Sequence, residues 1–146
     1  MVIAGEWRLG DDGVIRPAMC AKALAADGPY HVEVFLVDSC ADRTVFSASL
    51  LAKLQLSPNT SVPGFGLKGI GGDSPFVLVS TVVEFTRDGG GPVHVRGEFA
   101  AFTDPAATDL SILGRDVLDL FDVIVSRRRS EVRFLAGHHQ YRVEGP

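Results

Sequence analysis

The stretch Phe35-Leu36-Val37-Asp38-Ser39-Cys40-Ala41-Asp42-Arg43-Thr44-Val45-Phe46 decides how this chain is read. Three apolar residues run directly into a carboxylate, and small residues follow it. A short apolar run reads as a buried strand. The end of such a strand, followed by a tight turn, is where a rigid scaffold can aim a charged group into a cleft. Asp38 is therefore the candidate functional carboxylate. Taken alone, the stretch better suits a strand capped by a surface aspartate.

Outward from this stretch the chain reads as mostly β. Sixteen glycines and eight prolines punctuate short apolar segments, the pattern of many strands and turns. Strands are predicted over Val14 to Leu24 and His31 to Val37, joined by Ala25-Ala26-Asp27-Gly28-Pro29, whose Asp-Gly and Gly-Pro dipeptides favour a turn. A second hairpin is predicted from Phe76 to Phe85 and from Val93 to Phe102, around Asp88-Gly89-Gly90-Gly91-Pro92. Two short helices interrupt the strands. One follows Ser47, an N-cap residue, with Leu50, Leu51 and Leu54 on one face. The other spans about Arg115 to Phe121, with Asp116 at the positive end of its dipole. Asp122 to Ser126 and Glu131 to Leu135 complete the strands, and Arg127-Arg128-Arg129 between them reads as a solvated hairpin tip.

Composition narrows the functional classes. At 146 residues, with 46% hydrophobic and 22% charged residues, the sequence suits a single domain over 1–146 with a core of its own. The net charge of −4 argues against a phosphate-binding surface, so nucleic acid is an unexpected partner. Cys20 and Cys40 are too few for a disulfide framework, although one bridge is arithmetically possible, and a reducing compartment is expected. No apolar run reaches membrane-spanning length, and the N-terminal residues lack the basic-then-apolar pattern of a leader. We expect a soluble, cytoplasmic protein with no membrane partner.

Three blocks in order resemble the retropepsin-like aspartic proteases, of the bacterial, single-domain, homodimeric type. Val37-Asp38-Ser39-Cys40-Ala41-Asp42-Arg43-Thr44 resembles the family's active-site block except at Cys40, where the family carries glycine. Ser111-Ile112-Leu113-Gly114-Arg115-Asp116-Val117-Leu118 resembles its second block. Between them Lys68-Gly69-Ile70-Gly71-Gly72, preceded by Gly64-Phe65-Gly66, resembles its flap. The likeness spans roughly residues 13–136 and implies a closed, mostly β barrel with a flap hairpin and one or two short helices.

It also implies a chemistry. Each subunit would bring one Asp38 to a homodimer axis, and the two carboxylates would share a proton, as the aspartic-protease dyad does. They would activate a water to attack the peptide bond of an extended peptide or protein substrate, with no cofactor and no metal. Gly69, Ile70, Gly71 and Gly72 would line the substrate from the flap. Ser39 would bond to the partner subunit, or else cap its own turn. Cys40 and Ala41 complete the active-site loop, and Asp42 would pair with Arg115. Because Cys40 adds a sulfur where the family has glycine, the likeness is also compatible with an inactive dimer that binds peptides or proteins without cutting them. A cysteine hydrolase built on Cys40 and one of His31, His94, His138 or His139 has no recognisable spacing. A metal site drawn from Cys20, Cys40, His138 and His139 has none either.

Overall fold

The computed structural model describes residues 1–59, 67–69, 72–106 and 109–136. Strands β1 (Val2–Ala4) and β2 (Glu6–Leu9) precede the long pair β3 (Ile15–Leu24) and β4 (Tyr30–Val37). The pair is antiparallel from Ala18↔Leu36 to Leu24↔Tyr30, and Gly28 takes the positive φ of 107° that its turn requires. Short β5 (Val45–Phe46) leads into α1 (Ala48–Leu54). The Ser47 side chain accepts a hydrogen bond from the Leu50 N–H at 3.1 Å, the expected N-cap. Leu50 and Leu54 are fully buried beneath the helix.

The hairpin β6 (Leu67–Gly69) and β7 (Gly72–Ser74) follows, then the longest pair, β8 (Phe76–Arg87) and β9 (Gly91–Phe102). The chain closes with β10 (Ser111–Leu113), α2 (Arg115–Leu118), β11 (Asp122–Ser126) and β12 (Glu131–Leu135).

One sheet runs β2-β3-β4-β10-β5-β9-β8, and β8 returns to pair with β3 at Lys22↔Glu84 and Ala23↔Val83. The six strands from β3 to β8 thus close into a barrel, which removes most of their free edges. A second sheet, β1-β12-β11, lies against it. Phe35, Phe46 and Phe99 fill the barrel interior, with ring centroids 5.9 and 5.3 Å apart in sequence. Phe85, Phe121 and Phe134 form a second aromatic group where the small sheet meets β8. Five of these rings are buried, each contributing about 1.5–3 kcal/mol, and Phe121 is partly buried against them.

The structure corrects the sequence reading in three places. The helix predicted to reach Phe121 ends at Leu118. Asp119 and Leu120 form a turn, Leu120 is exposed, and Phe121 swings back to stack on Phe134. Burial of one ring outweighs another helical turn. The short strands β1, β2, β5 and β10 were not anticipated; with two to four residues each they show little alternation and draw their order from the strands they pair with, β1 from β12 at the other end of the chain and β2 from β3. Trp7 supplies part of that order. Its indole N–H donates to the carbonyls of Ser126 and Glu131 at 3.1 and 3.3 Å. The Arg127 guanidinium lies 5.4 Å over its ring, so the arginine tip is exposed but not wholly solvated. No helix among the described residues is long and apolar enough to cross a membrane.

Candidate active site

The loop carrying Asp38 wraps around the end of β10. β10 pairs parallel with β4, Leu113 beside Val37, and antiparallel with β5 through Ile112↔Val45. Leu36 and Val45, at opposite ends of the loop, therefore both flank Ile112. The Asp38 N–H donates to the Leu113 carbonyl at 3.1 Å, extending the ladder by one bond before the chain turns away. The turn is closed by the Ala41 N–H donating to the Asp38 carbonyl at 3.2 Å. The half-buried Asp38 carboxylate accepts the Cys40 N–H at 2.9 Å through Oδ1, which fixes one oxygen and leaves the other available.

A second set of contacts clamps the loop from α2. Gly114 approaches the loop so closely that a Cβ there would lie 2.3 Å from the Arg43 carbonyl carbon. Its backbone is extended at φ −97°, so the requirement is for space and not for a special dihedral. The Arg115 N–H donates to the Ala41 carbonyl at 2.8 Å, and the Asp116 N–H to the Asp42 carbonyl at 3.3 Å. The first N–H groups of a helix lack internal partners, and here the loop carbonyls supply them.

The side chains repeat this joint. The Arg115 guanidinium pairs with the Asp42 carboxylate, which raises the arginine pKa further above its ordinary value. Both side chains are largely in solvent, so the pair is an exposed one. The buried contact lies next to it. Thr44, fully buried, donates through Oγ1 to Asp116 Oδ1 at 2.7 Å, and its N–H donates to the same oxygen at 2.8 Å. The Thr44 hydroxyl in turn accepts the Gly114 N–H at 3.0 Å. This network was not foreseen in the sequence, although Thr44 and Asp116 both stand inside the two quoted blocks.

Ser39 and Cys40 are exposed at the crest of the loop, and Ala41 is half-buried. Cys20 and Cys40 are free thiols, and His94 is engaged by Glu84 at 2.7 Å. Among the described residues no group of three or more His, Cys, Asp or Glu is placed to hold a metal. In the flap segment Gly69 faces Gly72 across the β6–β7 ladder, while Ile70 and Gly71 lie outside the described residues, as do Gly64, Phe65 and Gly66. His138 and His139 lie outside them too.

Beside Ser39 and Arg115 opens a groove of about 330 Å³ with a largely apolar wall, including Pro17, Val37, Leu118 and Val125. No local pattern announces it, since its residues come from β3, β4, α2 and β11.

A closed barrel whose β4 ends in an aspartate-bearing loop, clamped by a glycine-led helix, defines the acid-protease class of fold. The fold is retropepsin-like. The structure of a retropepsin-like aspartic protease from Rickettsia conorii matches with a TM-score of 0.56 and 14% identity, over 92% of this chain and 88% of that one. EIAV protease complexed with the inhibitor HBY-793 matches with a TM-score of 0.48 and 24% identity, over 71% and 86% respectively. No family model and no curated protein sequence matches the chain.

Proposed function

We propose that the chain is one subunit of a homodimeric aspartic endopeptidase whose two Asp38 carboxylates meet at the two-fold axis. The observation that carries this reading is the setting of Asp38. It stands at the end of a barrel strand, with one oxygen held by the Cys40 N–H and its loop clamped from β10 and α2. An Asx turn makes the same Cys40 N–H bond in a loop of no function, but it does not require the surrounding clamp. A carboxylate pair, by contrast, needs it, because two acids can share a proton only when neither can turn away.

In the proposed reaction the ionised carboxylate takes a proton from a bound water as the water attacks the peptide carbonyl. The protonated carboxylate donates to the developing tetrahedral oxygen, and the proton then passes to the leaving nitrogen. The β6–β7 hairpin would cover an extended peptide substrate by strand-like pairing. The groove beside Ser39 suits the partner subunit: it is apolar, it adjoins Asp38 in the chain, and Val125 is exposed on its wall.

One observation favours a second reading. Cys40 exposes a sulfur immediately beside the carboxylate, where the substrate backbone would pass. A dimer too crowded there to cut would still bind peptides. Turnover of a peptide library that disappears in Asp38→Asn, together with a dimer mass at micromolar concentration, supports the protease. A monomer mass that does not change with concentration overturns it, and a dimer that binds peptides without cleaving any supports the binding module.

A further inference from the structure

Asn59 is the last described residue before the segment that leads to β6, and it is tied down three times. Its N–H donates to the Leu78 carbonyl at 2.8 Å. Its side-chain amide donates to Ser80 Oγ at 3.0 Å and to Glu98 Oε2 at 2.6 Å. Ser80 and Glu98 are directly opposed partners on β8 and β9, so one amide group bridges both strands of the long hairpin. Glu98 as a carboxylate only accepts, which requires the NH2 of Asn59 to face it. Both hydrogens of that NH2 are then used.

The position of these bonds gives them meaning. β8 pairs with β3 only at Val83 and Glu84, so the β8 backbone near Leu78 is free on the side away from β9, and the chain at Asn59 takes that place. Leu78 follows closely on β7, the outgoing strand of the β6–β7 hairpin, whereas Asn59 lies on the incoming side. The contact therefore joins the chain that precedes β6 to the strand that follows β7. The Leu78 side chain packs with Val45 and Ala100, and Val45 terminates the Asp38 loop immediately after Thr44. Base of hairpin and active-site loop thus share one small apolar cluster.

We propose that Asn59 is a positioning residue that fastens the base of the β6–β7 hairpin to β8 and β9 and so sets how that hairpin meets the substrate. The role in substrate binding rests on the protease reading, but the fastening itself does not. An aspartate could not replace it, since a second acceptor would face Glu98, and alanine would leave only the backbone bond.

The test reads the hairpin directly. In Asn59→Ala, amide hydrogen exchange at Leu67–Gly69 and Gly72–Ser74 is expected to rise about tenfold. The urea midpoint and exchange in β3, β4 and β9 should stay near the parent values. Asn59→Asp should do at least as much. The double variant Asn59→Asp/Glu98→Gln, in which amide and carboxylate change places, should return exchange towards the parent rate. With a cleavable peptide, Asn59→Ala should raise KM several-fold while kcat changes little, because the chemistry at Asp38 is untouched. Unchanged exchange in the hairpin overturns the proposal. So does a rise spread evenly over the barrel with a matching loss of stability, or a failure of the exchanged pair to restore protection. If no peptide is cleaved at all, the protease reading falls and the exchange result alone decides the fastening.

Discussion

Replacing Thr44 by valine isolates the buried part of the joint between the Asp38 loop and α2. The two side chains have nearly the same shape, so no cavity opens and the change is chemical. The variant loses the Oγ1 hydrogen bond to Asp116 at 2.7 Å and leaves the buried Gly114 N–H without the acceptor it has at 3.0 Å. A bond to a charged group contributes about 1.5 kcal/mol at the lower end, and a buried donor left unpaired costs about 1–3 kcal/mol. The Thr44 N–H still reaches Asp116, and the carboxylate is partly in solvent, so the two losses will not add in full. A net destabilisation of about 2–4 kcal/mol is expected. Urea unfolding at one fixed protein concentration measures it, with Thr44→Ser as the control. Serine keeps both bonds and gives up one methyl, a loss of about 0.8 kcal/mol. A Thr44→Val loss below 1 kcal/mol, or equal losses in the two variants, would refute the claim that the hydroxyl is what holds the loop.

Two further predictions address the site and its pH response. Cys40 has no positive φ, so its backbone does not demand glycine; Cys40→Gly should cost only about 0.5–1 kcal/mol through the freed unfolded chain, while raising peptide cleavage that still requires Asp38. Cleavage that is present in the parent and lost in Cys40→Gly would instead make the thiol a participant. Glu84 is held below its ordinary pKa of 4.5, chiefly by the hydrogen bond from His94 and also by Lys22. Since the folded carboxyl is the more acidic, its stabilisation is complete above pH 4.5 and is lost as pH falls through the depressed value. Glu84→Gln should therefore flatten the acid limb of stability against pH, and an acid limb identical to the parent's would contradict this.

What could be read from the sequence follows from how local each signal was. The β3–β4 and β8–β9 hairpins carry their turns and apolar runs within the segment itself, and they formed close to the expected bounds. Ser47 announced α1 because capping is a contact over three residues. The Thr44 network joins residues 72 and 70 positions apart, and the individual residues looked ordinary: a threonine after a charge run, an aspartate in a helical first turn. Only the approach of Gly114 to Arg43 makes them neighbours. The groove beside Ser39 is harder still, because four elements each contribute one or two apolar residues that any core would also use. Asn59 lacked any signal: its partners are two polar residues on the outer face of a hairpin.

On the proposed protease reading a single subunit is an incomplete solution. Asp38 is oriented by its own loop through one oxygen, and the proposed chemistry requires a second carboxylate beside it. Among the described residues β11 pairs with β12 alone and so stands at the edge of its sheet, with Val125 exposed on it. An open edge next to an apolar groove is a hazard that proteins usually cover. In the proposed dimer one partner answers both needs. Seated on this groove by two-fold symmetry, it would cover the β11 edge and bring its own Asp38 loop to the first, so that the surface stabilising the assembly is continuous with the loop that carries the chemistry. Catalysis and association then depend on the same residues from Val37 to Arg115, and a change such as Thr44→Val should weaken both together.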